Sequence, residues 1–117
     1  MEIAATLLSI LVALLYLASG GTKLAGQARQ VETAQQLGIE FARYRLIGIP
    51  ELAASVGLIV GLWVPAIGAA AAIGLALLMV GATVVRARAR RPAAELAADV
   101  TLFALDVATA VVIFLAA

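Results

Sequence analysis

The longest uncharged stretch of the chain limits what it can fold into. It runs for thirty-four residues, from Leu52 to Val85. As one helix it would be about 51 Å long, whereas the hydrocarbon core of a bilayer is about 30 Å thick. Pro65 lies within it, and a proline ends or kinks a helix. The stretch therefore predicts two membrane-spanning helices, over residues of about 44–64 and 66–85, joined by a tight turn.

Two further stretches are long and apolar enough to span a bilayer, at 3–23 and at about 97–115. The chain is 65% hydrophobic and 13% charged, against roughly 45–50% and 25% in soluble domains. Because Glu2 is acidic and no basic segment precedes the first stretch, we interpret it as a retained helix and not a cleaved signal peptide. The sequence predicts an all-α integral membrane four-helix bundle, with residues 1–117 as a single membrane domain.

The basic residues predict how this bundle is oriented. Seven of the eight lysines and arginines lie at the end of the first helix or in the loops 24–43 and 86–96, and the eighth, Arg45, lies at the start of the second helix on the same side. The positive-inside rule then places both loops in the cytoplasm and both termini on the non-cytoplasmic side of a bacterial inner membrane.

Within the first loop, residues 28–37 predict a short helix at the membrane surface, or an ordinary connection. A net charge of +1 argues against binding to nucleic acid.

The second predicted helix carries aromatic residues at its ends and small residues along its length. Tyr44 and Trp63 are nineteen residues apart, which predicts one aromatic ring at each membrane interface. Gly57 and Gly61 form a GxxxG step, and Gly68 begins a similar step in the third helix. Small residues allow membrane helices to approach closely, so we expect the second and third helices to form a close hairpin. An oligomer interface is the alternative.

Missing residue types exclude several classes of chemistry. The chain has no cysteine and no histidine. Disulfides, thiol redox chemistry and iron–sulfur clusters are therefore excluded. Haem, zinc and copper sites lack their usual ligands, and a Ser-His-Asp or Cys-His arrangement is impossible. The sequence therefore indicates no metal site and no cofactor.

Two acidic residues at membrane depth are the main candidates for function, because charged side chains there are costly and usually face the bundle interior. Glu51 lies in the second helix and Asp106 in the fourth. By depth, Glu51 is expected to pair with Lys23, to face a small polar pocket, or both. Asp106 is expected to form a hydrogen bond with Tyr16 or Thr109, or to stay protonated. Ser55 follows Glu51 by four residues, which places it on the same helix face.

The residues before Glu51 predict a distortion of the second helix. Pro50 removes a backbone hydrogen bond and is expected to kink the helix. Gly48 is expected to leave room beside the carboxylate. Such a kink can shape a site or be purely structural.

Several short motifs resemble the DoxX-like family of small bacterial membrane proteins. They are Ser19-Gly20-Gly21-Thr22-Lys23-Leu24, Leu37-Gly38-Ile39, Leu46-Ile47-Gly48-Ile49-Pro50-Glu51-Leu52 and Gly57-Leu58. The resemblance covers the first three helices and implies a four-helix membrane bundle. Lys23 and Glu51 match the family pattern. Some relatives are subunits of thiosulfate:quinone oxidoreductase or partners of redox enzymes, so the resemblance also implies a redox-enzyme partner.

These observations leave three hypotheses for function. The first is a membrane subunit that binds a quinone- or isoprenoid-type molecule, or anchors a redox partner, through Tyr16, Lys23, Glu51, Ser55 and Asp106. The second is an acid–base enzyme, an isomerase or a cyclase or epoxide-opening enzyme, with Glu51 and Asp106 as catalytic residues. The third is a small proton-coupled transporter, which would need a homo-oligomer to provide alternating access.

Overall fold

The computed structural model describes residues 3–116, and within that range the secondary structure is entirely helical. Glu2, whose acidic side chain predicted a retained first helix, lies outside the described residues. The helices are α1 (Ile3–Ala25), α2 (Ala28–Gln36), α3 (Phe41–Leu46), α4 (Gly48–Val60), α5 (Pro65–Arg88) and α6 (Ala93–Ala116). By length and composition α1, α5 and α6 can cross a membrane.

The four longer helices pack side by side in a ring. α1 packs chiefly on α4 and α5 chiefly on α6, while α4–α5 and α1–α6 contacts complete the ring. Apolar side chains fill the centre, among them Val12, Leu58, Leu75 and Ile113. The outer surface is also apolar, with many leucines, isoleucines and valines exposed on every long helix. Such a large exposed apolar surface suits contact with lipid acyl chains and not with water.

The expected continuous helix over residues 44–64 is interrupted. The helix is interrupted at Ile47, which separates α3 from α4. Pro50 is the third residue of α4, and its missing N–H leaves the Leu46 carbonyl without its usual helical donor. The sequence predicts a kink at the proline. In the structure the helix instead divides one turn before it. With thirteen residues, α4 is only about 20 Å long and cannot cross a bilayer alone.

The structure also extends the two later helices beyond their apolar stretches. α5 continues past Val85 to Arg88, and α6 begins at Ala93, about one turn earlier than expected. Hydropathy marks only the part of a helix that lies in hydrocarbon, whereas the backbone remains helical where charged side chains begin. The short helix expected in the first loop is present as α2, which ends before Gly38 with its φ of +69°.

The hairpin expected from the glycine steps is confirmed at the α4–α5 turn. Pro65 is the first residue of α5, a position where its fixed φ and missing N–H fit a helix. A Cβ added at Gly61 would overlap the backbone of Gly68, and one at Gly57 would lie 3.0 Å from the Cβ of Ala71. The two helices therefore touch backbone to backbone at this end, because glycine leaves no side chain between them.

We predict that Gly61→Ala destabilises the protein. The added methyl group must push α4 away from α5, and overpacking of this kind costs about 1–3 kcal/mol. The measurement is the free energy of unfolding in detergent, followed by circular dichroism. Gly21→Ala is the matched control, because a Cβ there meets nothing within 4 Å. Equal stability of the two variants would contradict the close contact.

Candidate functional site

A buried ion pair joins α1 to α4. The Lys23 ammonium donates to Glu51 Oε1 and also to Ser19 Oγ at 2.9 Å. Glu51 is only 1% exposed, and it lies in the first turn of α4, where the positive end of the helix dipole favours a carboxylate. The expected pairing of Lys23 with Glu51 is therefore present, and the break in the helix places the acid at a helix start.

Two glycines allow the helices to meet beside this pair. A Cβ at Gly48 would lie 2.8 Å from the backbone oxygen of Gly20 and 3.1 Å from the Cβ of Lys23. A Cβ at Gly20 would in turn lie 2.8 Å from the Gly48 oxygen. Gly48 thus makes room for the backbone of α1, whereas the sequence suggested room for the carboxylate. The close approach lets the lysine reach the acid.

A second ion pair joins α5 to α6 at the same end of the molecule. Arg86 Nη1 donates to Asp99 Oδ1 at 2.5 Å, and Asp99 is 4% exposed. Sequence reasoning missed this pair because Arg86 belongs to a basic run that reads as an orientation signal. An arginine and an aspartate at equal depth on either side of a short loop could have revealed it.

A cavity of about 590 Å³ lies between the two ion pairs. The polar and charged residues of its wall are Tyr16, Ser19, Lys23, Tyr44, Glu51, Arg86 and Asp99. The rest of the lining is almost entirely apolar or glycine and includes Leu15, Leu77 and Gly74. Leu15 is 42% and Leu77 68% exposed, so the cavity opens on the apolar outer surface of the helices. It is therefore polar at one end and reachable from the side at the other.

The structure brings only some of the predicted site residues together. Tyr16, Lys23 and Glu51 line the cavity, whereas Ser55 and Asp106 do not. The Ser55 hydroxyl donates to the backbone oxygen of Glu51 at 2.8 Å. Asp106 is fully buried and accepts a hydrogen bond of 2.8 Å from the Tyr16 hydroxyl, as one alternative predicted. The two acids proposed as a catalytic pair thus do not share the cavity.

Tyr44, which the sequence predicted to lie at a membrane interface, belongs to the cavity wall. Its side chain is buried, and the centre of its ring lies 5.3 Å from Lys23 Nζ, a distance that allows a cation–π interaction. Its hydroxyl donates to Gln30 Oε1 at 3.1 Å, and Gln30 Nε2 donates to Thr22 Oγ1 at 2.9 Å. These bonds hold α2 over the polar end of the cavity. Trp63 is 76% exposed, as an interfacial ring would be.

The donor set of the cavity determines what chemistry it can support. In the described range, residues 3–116, no three acidic, histidine or cysteine side chains are grouped so that they could hold a metal ion. The cavity instead offers lysine and arginine N–H donors, two carboxylates and two buried aromatic rings. Such a set can hold the polar part of a small molecule by hydrogen bonds.

We predict that Lys23→Met lowers the free energy of unfolding by about 3–5 kcal/mol, because it leaves Glu51 as an unpaired buried charge. The double variant Lys23→Met with Glu51→Leu should recover most of this loss, since it removes both charges. Unfolding in detergent measures both. As the control, Glu95→Gln breaks the partly exposed Arg91–Glu95 pair and should change stability little. A double variant no more stable than Lys23→Met would contradict this account of the pair.

Comparisons with known proteins agree with the motifs around Lys23 and Glu51. The family model described as the DoxX-like family matches residues 7–111. No curated protein matches the chain, and no solved structure matches it. The match covers α1 to α6 almost completely and includes both residues of the first ion pair. The chain is a membrane protein and belongs to the DoxX-like family.

Proposed function

We propose that this protein binds a lipophilic small molecule of quinone or isoprenoid type in the cavity between its two ion pairs. The observation that carries the proposal is the division of the cavity into a charged end and an apolar end that opens on the outer surface. The polar head of such a molecule would lie between Lys23–Glu51 and Arg86–Asp99. Its hydrocarbon part would lie along Leu15 and α5.

The size of the cavity supports this proposal. Its volume of about 590 Å³ falls within the range of about 300–1,000 Å³ typical of small-molecule sites. Along α5, Leu77 and Arg86 are nine residue steps apart, which corresponds to about 13.5 Å. This length suits a ring-sized head followed by the first isoprenoid or alkyl units. The remainder of a long chain would extend through the opening into the bilayer.

Binding accounts for the geometry better than catalysis. An acid–base mechanism with Glu51 and Asp106 requires both carboxyl groups to reach one substrate, yet Asp106 lies outside the cavity and is bonded to Tyr16. In this proposal the protein acts as a membrane subunit, and a redox-enzyme partner would exchange the bound molecule with it. Asp106 would act only by orienting the Tyr16 side chain.

For the membrane topology, we propose four spans in a bacterial inner membrane, with α3 and α4 together forming the second one. Residues 41–60 are long enough for this role once α3 is counted with α4. The positive-inside rule supports a cytoplasmic location for the α1–α4 connection and for the α5–α6 loop. Both termini would then lie on the opposite side, and residues 1–117 would form one membrane domain.

We predict that decylubiquinone or farnesol raises the unfolding free energy of the detergent-solubilised protein, by about 2.7 kcal/mol at one hundred times the dissociation constant. Gly81→Leu should abolish this rise. Gly81 lines the cavity, and its Cβ would meet no other atom within 4 Å, so the leucine would occupy ligand space. Gly21→Leu is the control, since it is equally open but lies off the cavity. Stabilisation that persists in Gly81→Leu would place the ligand elsewhere.

The topology can be tested with single cysteines, because the chain has none of its own. In intact cells, a membrane-impermeant maleimide should label Trp63→Cys in the α4–α5 turn. Gln35→Cys in α2 should be labelled only after the cells are permeabilised. Both positions are exposed, so accessibility to the reagent depends on the side of the membrane. The opposite labelling pattern would reverse the proposed orientation.

A further inference from the structure

We infer that the cavity selects a ligand whose head group is uncharged and carries an oxygen that accepts hydrogen bonds. Quinones and isoprenoid alcohols meet this description, whereas lipid phosphates, fatty acids and amines do not. The inference rests on the proposed function, because it concerns the head group of the molecule proposed to bind there. It follows from the charges that line the cavity and from how they are paired.

The charges of the cavity wall cancel. Among the described residues that line the cavity, the charged ones are Lys23, Glu51, Arg86 and Asp99. Each cation is bonded to one of the two carboxylates, the lysine to Glu51 and the arginine to Asp99. Both carboxylates are nearly inaccessible, at 1% and 4% exposure. The wall therefore has no net charge to offer an ionic head group.

A charged head group would disturb this balance. To pair with an anion, Lys23 or Arg86 would have to leave its own carboxylate, which would then be an unpaired charge in a medium of low dielectric constant. A cationic head would strand Lys23 or Arg86 in the same way. A head group that left both pairs intact would itself be the uncompensated charge. Either outcome opposes binding.

An uncharged oxygen, in contrast, can use donors that the ion pairs leave over. A lysine ammonium has three N–H groups, and the bonds to Ser19 and Glu51 use two of them. A guanidinium has five N–H groups, and the bond to Asp99 uses one of them. A carbonyl or hydroxyl oxygen could accept from these cations without separating either from its carboxylate. The geometry thus favours acceptor oxygens without charge.

Farnesol and farnesyl phosphate test the inference, because they share a hydrocarbon chain and differ in the charge of the head. Their competition for the protein is measured in nanodiscs of phosphatidylcholine. The wild-type protein should bind farnesol at least about tenfold more tightly than the phosphate, a difference of about 1.4 kcal/mol. Asp99→Asn removes one acid from the cavity wall, so it should shift this ratio at least about tenfold towards the phosphate.

A matched control separates the cavity from the basic surface. Anions are also attracted to the exposed arginines after α5, and any loss of an acid strengthens that attraction. Glu95→Gln changes the net charge by the same amount as Asp99→Asn and lies four residues away on α6, but it does not line the cavity. It should leave the ratio of the two affinities unchanged.

A second variant tests the same charge balance by removing a cation from the cavity wall in place of an acid. Arg86→Gln leaves Asp99 without its cation, so this variant should gain affinity for farnesylamine relative to farnesol. Arg86→Gln also tests the inference if the Asp99→Asn variant does not fold.

Three results would overturn the inference alone. Wild-type protein that binds farnesyl phosphate as tightly as farnesol would refute it while leaving the proposed function intact. The same holds if Asp99→Asn and Glu95→Gln shift the ratio equally, or if Arg86→Gln shows no gain for the amine. If neither farnesol nor decylubiquinone binds the wild-type protein, the proposed function fails and this inference fails with it.

Discussion

The rest of the structure depends on a lysine and a glutamate that are buried together between α1 and α4. When buried, neither charge is stable without the other, so the pair holds α1 and α4 together at this level. Gly20 and Gly48 make the meeting possible by leaving backbone against backbone. Glu51 lies in the first turn of α4, directly after Pro50, whose missing N–H divides the helix one turn earlier. The position of α3, and of the cavity wall that it carries, follows from this start.

The cavity results from a difference between the two ends of the α4–α5 pair. At the turn, Gly61 and Gly68 bring the two backbones into contact. At the other end, long charged side chains extend inward from both sides, and two ion pairs of this size cannot pack as closely as glycines. At this end the cavity lies beside both helices, and Glu51 of α4 and Arg86 of α5 line it. The space between them is polar where those side chains end and apolar nearer the turn.

Sequence patterns predicted the features that depend on one helix or on charge at a given depth. The apolar stretches located α1, α5 and α6, and two opposite charges of similar depth predicted the Lys23–Glu51 pair. What the sequence could not predict depends on which helix faces which. Spacing placed Ser55 beside Glu51, but α4 advances one turn between them and leaves the cavity. Tyr44 was predicted to lie at the interface because its ring is typical there, and the sequence alone did not show that it packs beside Lys23 in the cavity wall.

The presence of one buried ion pair and one partly buried ion pair supports a binding role over a purely structural one. Well-packed apolar residues stabilise an interior as well as buried ion pairs do, and often better. A structural requirement alone would therefore be met by leucine and valine, which this chain has in abundance. Ion pairs add hydrogen-bond donors inside the membrane without adding net charge. Both pairs lie on the wall of one cavity, where those donors can be used. The Arg91–Glu95 pair does not line this cavity. This distribution is what a site for an uncharged lipophilic molecule requires.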